Sequence, residues 1–150
     1  MLVQPKSAQG YVNGEPVTLI VASIGSGLYL RADAAAAFLA MRAACFTSIQ
    51  KNVSPSGPNS AFRTPEQQAF LVNELGAYSE TGLAAAVGRS PHQAGIAIDL
   101  ACLDPAKSNY DSQLANWLVT NCHAFGWNNR GDTFKKKEPW HYEFRPELYT

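Results

Sequence analysis

Along the 150-residue chain the apolar positions change period several times, and each change predicts an element. Val17, Leu19 and Val21 alternate with their neighbours after the turn signal Asn13-Gly14, which predicts a strand closed by Gly25 and Gly27. The residues before it, to about Gln9, read as irregular surface chain. From Asp33 the spacing becomes helical, with Ala34, Phe38, Met41 and Cys45 on one face. Thr47 to Val53 reads as a short strand, and the Pro/Gly/Ser cluster from Ser54 to Ser60 as a loop. Thr64-Pro65-Glu66-Gln67 then combines an N-cap, a first-turn proline and a capping box, predicting a helix to about Leu75 that stops at Gly76. Tyr78 to Gly88 reads as loop or broken helix. Gly95 to Leu100 is a short apolar run with the character of a buried strand. A further helix is predicted from about Asn109 to Phe125, its stripe formed by Tyr110, Leu114, Trp117, Leu118 and Phe125, and Gly126 ends it. Finally Trp140, Tyr142 and Phe144 alternate with His141 and Glu143, a strand pattern. Helices first and strands mostly later give an α+β fold: a small antiparallel sheet packed with about three helices, in one domain over residues 1–150.

Bulk properties narrow the function classes. Twelve basic and twelve acidic side chains cancel, so there is no electrostatic footprint for nucleic acid or an anionic membrane. No apolar run approaching a membrane span is expected, and the first twenty residues lack a basic start followed by an apolar core, so no secretory signal is read. The three cysteines, Cys45, Cys102 and Cys122, are too scattered for a disulfide framework or a metal site and read as core thiols.

The candidate chemistry lies in two stretches. In Ser90-Pro91-His92-Gln93-Ala94-Gly95-Ile96-Ala97-Ile98-Asp99, a histidine and a carboxylate stand seven residues apart. In a straight strand, residues of opposite parity point to opposite faces, so the pair meets only if the chain bends near His92 or Gly95. Asp99 is also a carboxylate in an apolar run, expensive to bury unless paired or bound to a metal. The second stretch is Glu138-Pro139-Trp140-His141. If the strands of Asp99 and His141 are neighbours, His92, Asp99 and His141 make two imidazoles and one carboxylate, the make-up of a catalytic zinc site with a fourth position open. Zinc lowers the pKa of bound water to roughly 7. Glu138 is then placed to act as the general base.

The pattern S-x-H-x-x-G-x-A-x-D followed by E-x-W-H resembles the zinc peptidases of the D-alanyl-D-alanine carboxypeptidase and L-alanyl-D-glutamate endopeptidase family. That family shares its metal core with lysostaphin-type peptidases and the hedgehog signalling domain. Ser90, His92, Gly95, Ala97 and Asp99, then Glu138, Trp140 and His141, carry the match. A further family block, S-G-Y-R-S-x-x-x-Q, is similar to Ser60 to Gln68. The resemblance spans about residues 60 to 145. It implies that His92, Asp99 and His141 bind zinc, that Glu138 is the base, and that Arg63 holds a substrate carboxylate or polarises the scissile carbonyl. Arg63 has its own physical argument, since a helix N-terminus beside it already favours anions. The family's glycine and tyrosine before the arginine are Ala61 and Phe62 here, and a common proline before Gly88 is Val87. These departures leave the ligands intact and bear on substrate preference.

Several residues carry a plainer reading beside the functional one. Ser90 and Gln93 serve either substrate binding, ligand orientation or the turn itself. Trp140 and Tyr142 either line a peptide groove or, more simply, pack the core. Trp127 fits either class, and His123 points away from its helix's apolar stripe. The resulting expectation is a zinc metallopeptidase, a hydrolase of peptidoglycan stem peptides. L-alanyl-D-glutamate endopeptidase activity comes first, D-Ala-D-Ala carboxypeptidase or dipeptidase activity second, and a non-catalytic zinc-containing wall-binding module third. The short chain resembles a phage endolysin or wall-lytic effector, made in the cytoplasm and reaching the periplasm or wall through a holin or secretion device.

Overall fold

The computed structural model describes residues 5–73 and 89–149. The expected end of the second helix and the segment from Tyr78 to Gly88, with Val87, lie outside the described residues.

Three antiparallel strands come first, and they correct the expected order of elements. They are β1 (Lys6–Val12), β2 (Glu15–Gly25) and β3 (Leu28–Arg31), paired in the order β1-β2-β3. Asn13 (φ 51°) and Gly14 (φ 84°) make the hairpin turn that the dipeptide signals. The chain before it, read as irregular, is therefore a strand. β1 escapes the alternation test because only Gly10 of its seven residues is buried. Its order comes from the ladder with β2, where Lys6 faces Val21 and Val12 faces Glu15.

Helix α1 (Ala32–Ile49) buries Ala34, Ala35, Phe38, Met41 and Cys45, the expected face. It runs through the region expected to be a strand from Thr47 onward, and ends where Gln50 turns left-handed (φ 59°) with its N–H on the Phe46 carbonyl. Thr47 and Ile49 have strand propensity, but continuation of a packed helix overrides it. Beyond the cap, Val53 is fully buried in the core. By length and composition α1 could cross a bilayer, with 18 residues and a mean hydropathy of 1.3, contrary to the expectation that no run approaches a span. Here its apolar stripe joins the core shared with Leu30, Ile98, Leu118, Trp127 and Tyr142.

Helix α2 (Pro65–Asn73) begins with the predicted capping box at atomic detail. The Gln67 N–H donates to Thr64 Oγ1 at 3.1 Å, and the Thr64 N–H donates to Gln67 Oε1 at 2.8 Å. Helix α3 (Ser112–Asn121) is capped by Asp111, which accepts from the Leu114 N–H at 3.1 Å and bridges Lys51 at 2.6 Å. It continues as a 3₁₀ turn (Cys122–Phe125) to Gly126. Leu114 and Leu118 form its buried stripe, while Tyr110 precedes the helix and is exposed.

The second sheet carries the chemistry. Its strands are β4 (Ala97–Asp99), β5 (Trp127–Asn128) and β6 (His141–Phe144), in the order β4-β6-β5, all antiparallel. β4 is held on both edges. Asp99 faces His141 across the β6 ladder. On the other edge the Asp99 N–H donates to the Ser60 carbonyl at 2.7 Å, and the Ser56 N–H donates to the Asp99 carbonyl at 2.9 Å. The fold is α+β, with two small antiparallel sheets and three α-helices among the described residues.

Candidate metal centre

The chain bends between His92 and Asp99 where the parity argument requires. Residues 91–95 form turns, and Gly95 adopts φ +74°. A side chain at Gly95 would be doubly obstructed: the conformation is left-handed, and a Cβ would lie 2.8 Å from the Arg31 backbone nitrogen. The carbonyls of this turn are clamped by other elements. The Arg63 N–H donates to His92 O at 3.1 Å, the Tyr11 N–H to Gln93 O at 3.1 Å, and the Arg31 N–H to Gly95 O at 2.8 Å. The N-terminal sheet thus braces the ligand loop.

His92, Asp99 and His141 converge, each offering a ligand atom within 4.8 Å of the others. His92 Nδ1 lies 2.9 Å from the Ala61 carbonyl, which can only accept, so this nitrogen carries the proton and Nε2 presents its lone pair. That Nε2 stands 3.4 Å from Asp99 Oδ1. His141 Nδ1 is 3.0 Å from the same oxygen, while its Nε2 is 2.8 Å from Glu143 Oε2. The two rings pack edge-on at 5.3 Å between centroids. Two imidazole nitrogens and a carboxylate oxygen, each imidazole tied at its other nitrogen, form a donor set that suits zinc and leaves a fourth position for water or substrate.

Electrostatics follow from the packing. Burial acts to raise Asp99, but the two histidines outweigh it and hold the carboxyl well below its usual range. Burial lowers His92 despite the neighbouring Asp99. His141 goes the other way: burial opposes its charge, yet its bonds to Asp99 and Glu143 raise it to about 9.

Arg63 is buried, 8% exposed, and fixed in place. Its Nε donates to the Asn59 carbonyl at 2.7 Å and its Nη1 to Gln68 Oε1 at 3.2 Å, while Nη2 stands 3.5 Å from Asp99 Oδ2. Glu138 lines the same cleft, about 610 Å³ in volume, with Arg63, His92, Asp99 and His141. Burial, together with the charge of Asp99, raises its carboxyl against the pull of His141, Arg63 and Lys136. Ser90 also lines the cleft, and its hydroxyl accepts the His92 N–H at 3.2 Å, so it shapes the ligand turn. Gln93 is fully buried and lies outside the cleft lining, and Trp140 packs against the main core. Tyr142 and Trp127 are core residues, and His123 is exposed against Tyr149.

Two supporting groups were given no role from the sequence. Gln68 is a hydrogen-bond partner of Arg63, and its sequence signal is that it fills the glutamine closing the S-G-Y-R-S-x-x-x-Q block. Glu143 holds His141, and its signal is the two-residue spacing that puts both on one strand face. The rim adds Tyr11 and Asn13 from the first hairpin and the cations Arg89, Arg130, Lys136 and Arg145.

Comparison with known proteins agrees with this geometry. The sequence profile of the family described as VanY: D-alanyl-D-alanine carboxypeptidase matches residues 27–147. No curated protein sequence matches. Among solved structures, the chain is similar to the vancomycin resistance D,D-pentapeptidase VanY of a VanB-type resistance cassette, solved in complex with Zn(II). That match has a TM-score of 0.66 and 19% identity, covering 87% of this chain and 82% of that one. VanYB in complex with D-alanine-D-alanine follows at TM-score 0.64 and 20% identity, covering 87% and 80%. DacB from Streptococcus pneumoniae matches at TM-score 0.56 and 21% identity, covering 95% and 84%. At these identities the likeness shows a shared fold. The profile match takes in every element from β3 to β6, and the chain therefore belongs to the VanY D-alanyl-D-alanine carboxypeptidase family, whose members are zinc-dependent peptidases.

Proposed function

We propose that this chain is a single peptidase domain that removes the terminal D-alanine from peptidoglycan stem peptides, with zinc held by His92, Asp99 and His141. The observation that carries the reading is the convergence of these three ligands within 4.8 Å in a cleft that also holds Glu138 and Arg63. Sequence reasoning ranked L-alanyl-D-glutamate endopeptidase activity first. The family match, and the D-alanine-D-alanine bound by VanYB, favour the carboxypeptidase.

Zinc, when bound, supplies Lewis acidity that polarises the carbonyl and eases deprotonation of water. The protein's own groups do the rest. Glu138 takes the proton from water as its oxygen adds to the scissile carbonyl carbon, then delivers that proton to the leaving amine as the C–N bond breaks. The products are a shortened peptide with a new carboxylate and free D-alanine. Arg63 has Nε and Nη1 committed to Asn59 and Gln68, leaving Nη2 on the site side. This favours polarising the carbonyl oxygen over a two-pronged grip on a carboxylate. The cationic rim of Arg89, Arg130, Lys136 and Arg145 suits an anionic stem peptide.

A non-catalytic binding module is the less supported reading, because it has no use for a cleft carboxylate such as Glu138. The place of action under this proposal is the periplasm or cell wall. Delivery through a holin or secretion device rests on the sequence resemblance alone. Mass spectrometry of muropeptides after digestion tests the bond cut. Release of D-alanine from pentapeptides is expected, and a cut between L-alanine and D-glutamate would overturn the carboxypeptidase in favour of the endopeptidase.

A further inference from the structure

We propose that Glu143, clamped by Arg145, is a positioning residue that selects the nitrogen His141 presents to the metal; the inference rests on the zinc reading above. Glu143 is 3% exposed, and a carboxylate is not buried so deeply without partners. Its two oxygens divide the work. Oε2 lies 2.8 Å from His141 Nε2. Oε1 accepts from Arg145 Nε at 3.0 Å and from Nη2 at 2.6 Å.

The strand geometry explains why the arrangement is possible. His141 and Glu143 are two residues apart on β6, so both side chains leave the same face. Across the ladder, Asp99 faces His141 and Ala97 faces Glu143. The small Ala97 leaves the carboxylate the room to turn toward the imidazole. Because a carboxylate oxygen only accepts, His141 Nε2 must carry a proton. Nδ1, 3.0 Å from Asp99 Oδ1, is then the nitrogen left to face a cation, which would take the place of the proton it shares with that carboxylate. Phe134, 5.1 Å from the imidazole centroid, limits tilting of the ring but cannot choose a tautomer. Arg145, whose side chain is 35% exposed, offsets the buried charge and keeps Glu143 from taking the proton itself. A carboxylate–histidine–metal relay of this kind orients the ligand and strengthens its basicity.

The experiment is competition for zinc against a chromophoric chelator, run on wild type, Glu143→Gln, Glu143→Ala and Arg145→Ala, beside thermal melts of the metal-free forms. Glu143→Ala is expected to weaken zinc binding by about 10- to 100-fold. Glu143→Gln should weaken it less, because the amide oxygen still accepts from Nε2–H, and saturating zinc should restore much of its turnover. Arg145→Ala should shift affinity in the same direction while leaving the metal-free protein folded. A purely structural Glu143 predicts lower melting temperatures with unchanged zinc affinity, and that result in folded Glu143→Gln and Arg145→Ala overturns the proposal while the metal centre stands. Failure of wild type to bind zinc overturns the metal reading and this inference together.

Discussion

Asp99 and His141 stand directly opposite each other across the β4–β6 ladder, with Asp99 Oδ1 3.0 Å from His141 Nδ1. Their alignment is a matter of register, and register here is fixed from both edges of β4. One side pairs with β6, and the other is tied to Ser60 and Ser56. A one-residue slip would send Asp99 to the opposite face of the sheet. The same oxygen lies 3.4 Å from His92 Nε2, so Asp99 is the hinge of the ligand set. Asp99→Ala should therefore reduce zinc affinity by more than the roughly 10- to 100-fold expected for a supporting residue. Chelator competition checks this, and a folded Asp99→Ala protein with wild-type affinity would contradict the ligand assignment.

Glu138 should separate metal binding from turnover. It lines the cleft without belonging to the three-ligand group. Glu138→Gln is expected to keep zinc while kcat falls by roughly 10²- to 10⁴-fold, the usual worth of a general base. A base works ionised, so activity should fall as pH drops through the Glu138 pKa, which burial raises above the ordinary 4.5. The acidic limb of the wild-type pH profile should be absent from the residual activity of the variant. Turnover unaffected by the substitution would mean that Glu138 is not the base.

The residues that meet in the cleft, His92, Asp99, His141, Glu138 and Arg63, were legible because each lies in a short motif whose chemistry is local. The capping box could be read down to its two reciprocal hydrogen bonds for the same reason. What sequence missed is non-local. β1 takes its order from β2, and Lys6-Ser7-Ala8-Gln9 has no apolar alternation to announce a strand. Thr47 to Ile49 follow α1 because that helix is already packed, whatever their own preference. Glu143 was given no role, since nothing in His141-Tyr142-Glu143-Phe144 says that both faces are buried. The carbonyls of Ala61 and Gln93, which tie His92 and its loop, carry no side-chain signal at all.

Gly131 should be intolerant of any side chain, and the reason is the position of Glu138. A Cβ at 131 would lie 1.8 Å from the Glu138 carbonyl oxygen and 2.9 Å from His141 Cβ. The Gly131 carbonyl in turn accepts the Glu138 N–H at 3.0 Å. Gly131→Ala must therefore push the Glu138–His141 turn away from the cleft or strain it, at an overpacking cost of about 1–3 kcal/mol. A lower melting temperature together with a fall in kcat larger than any change in zinc affinity is the expected result. Wild-type kcat in this variant would show that the contact does not set the position of Glu138.

Metal-free protein should lose stability as pH rises from near neutral toward 9. His141 has a folded-state pKa of about 9, against an ordinary value of 6.5, because its hydrogen bonds to Asp99 and Glu143 outweigh the cost of burial. A group raised on folding contributes its stability fully below the unfolded value and loses it as pH climbs through the folded one. The loss should therefore run between about pH 6.5 and 9 and be on the order of 3 kcal/mol, a drop of several degrees in Tm. His92 adds the opposite limb: burial lowers its pKa, so below pH 6.5 the unfolded chain takes up a proton that the folded chain resists. Metal-free protein should thus be most stable near pH 6.5. Saturating zinc should flatten the alkaline limb, because a cation takes the place of the second imidazole proton. Thermal melts with chelator and with zinc across this range check the argument. A Tm that does not fall between pH 6.5 and 9 without metal would mean that His141 is not held as the doubly bonded cation between Asp99 and Glu143.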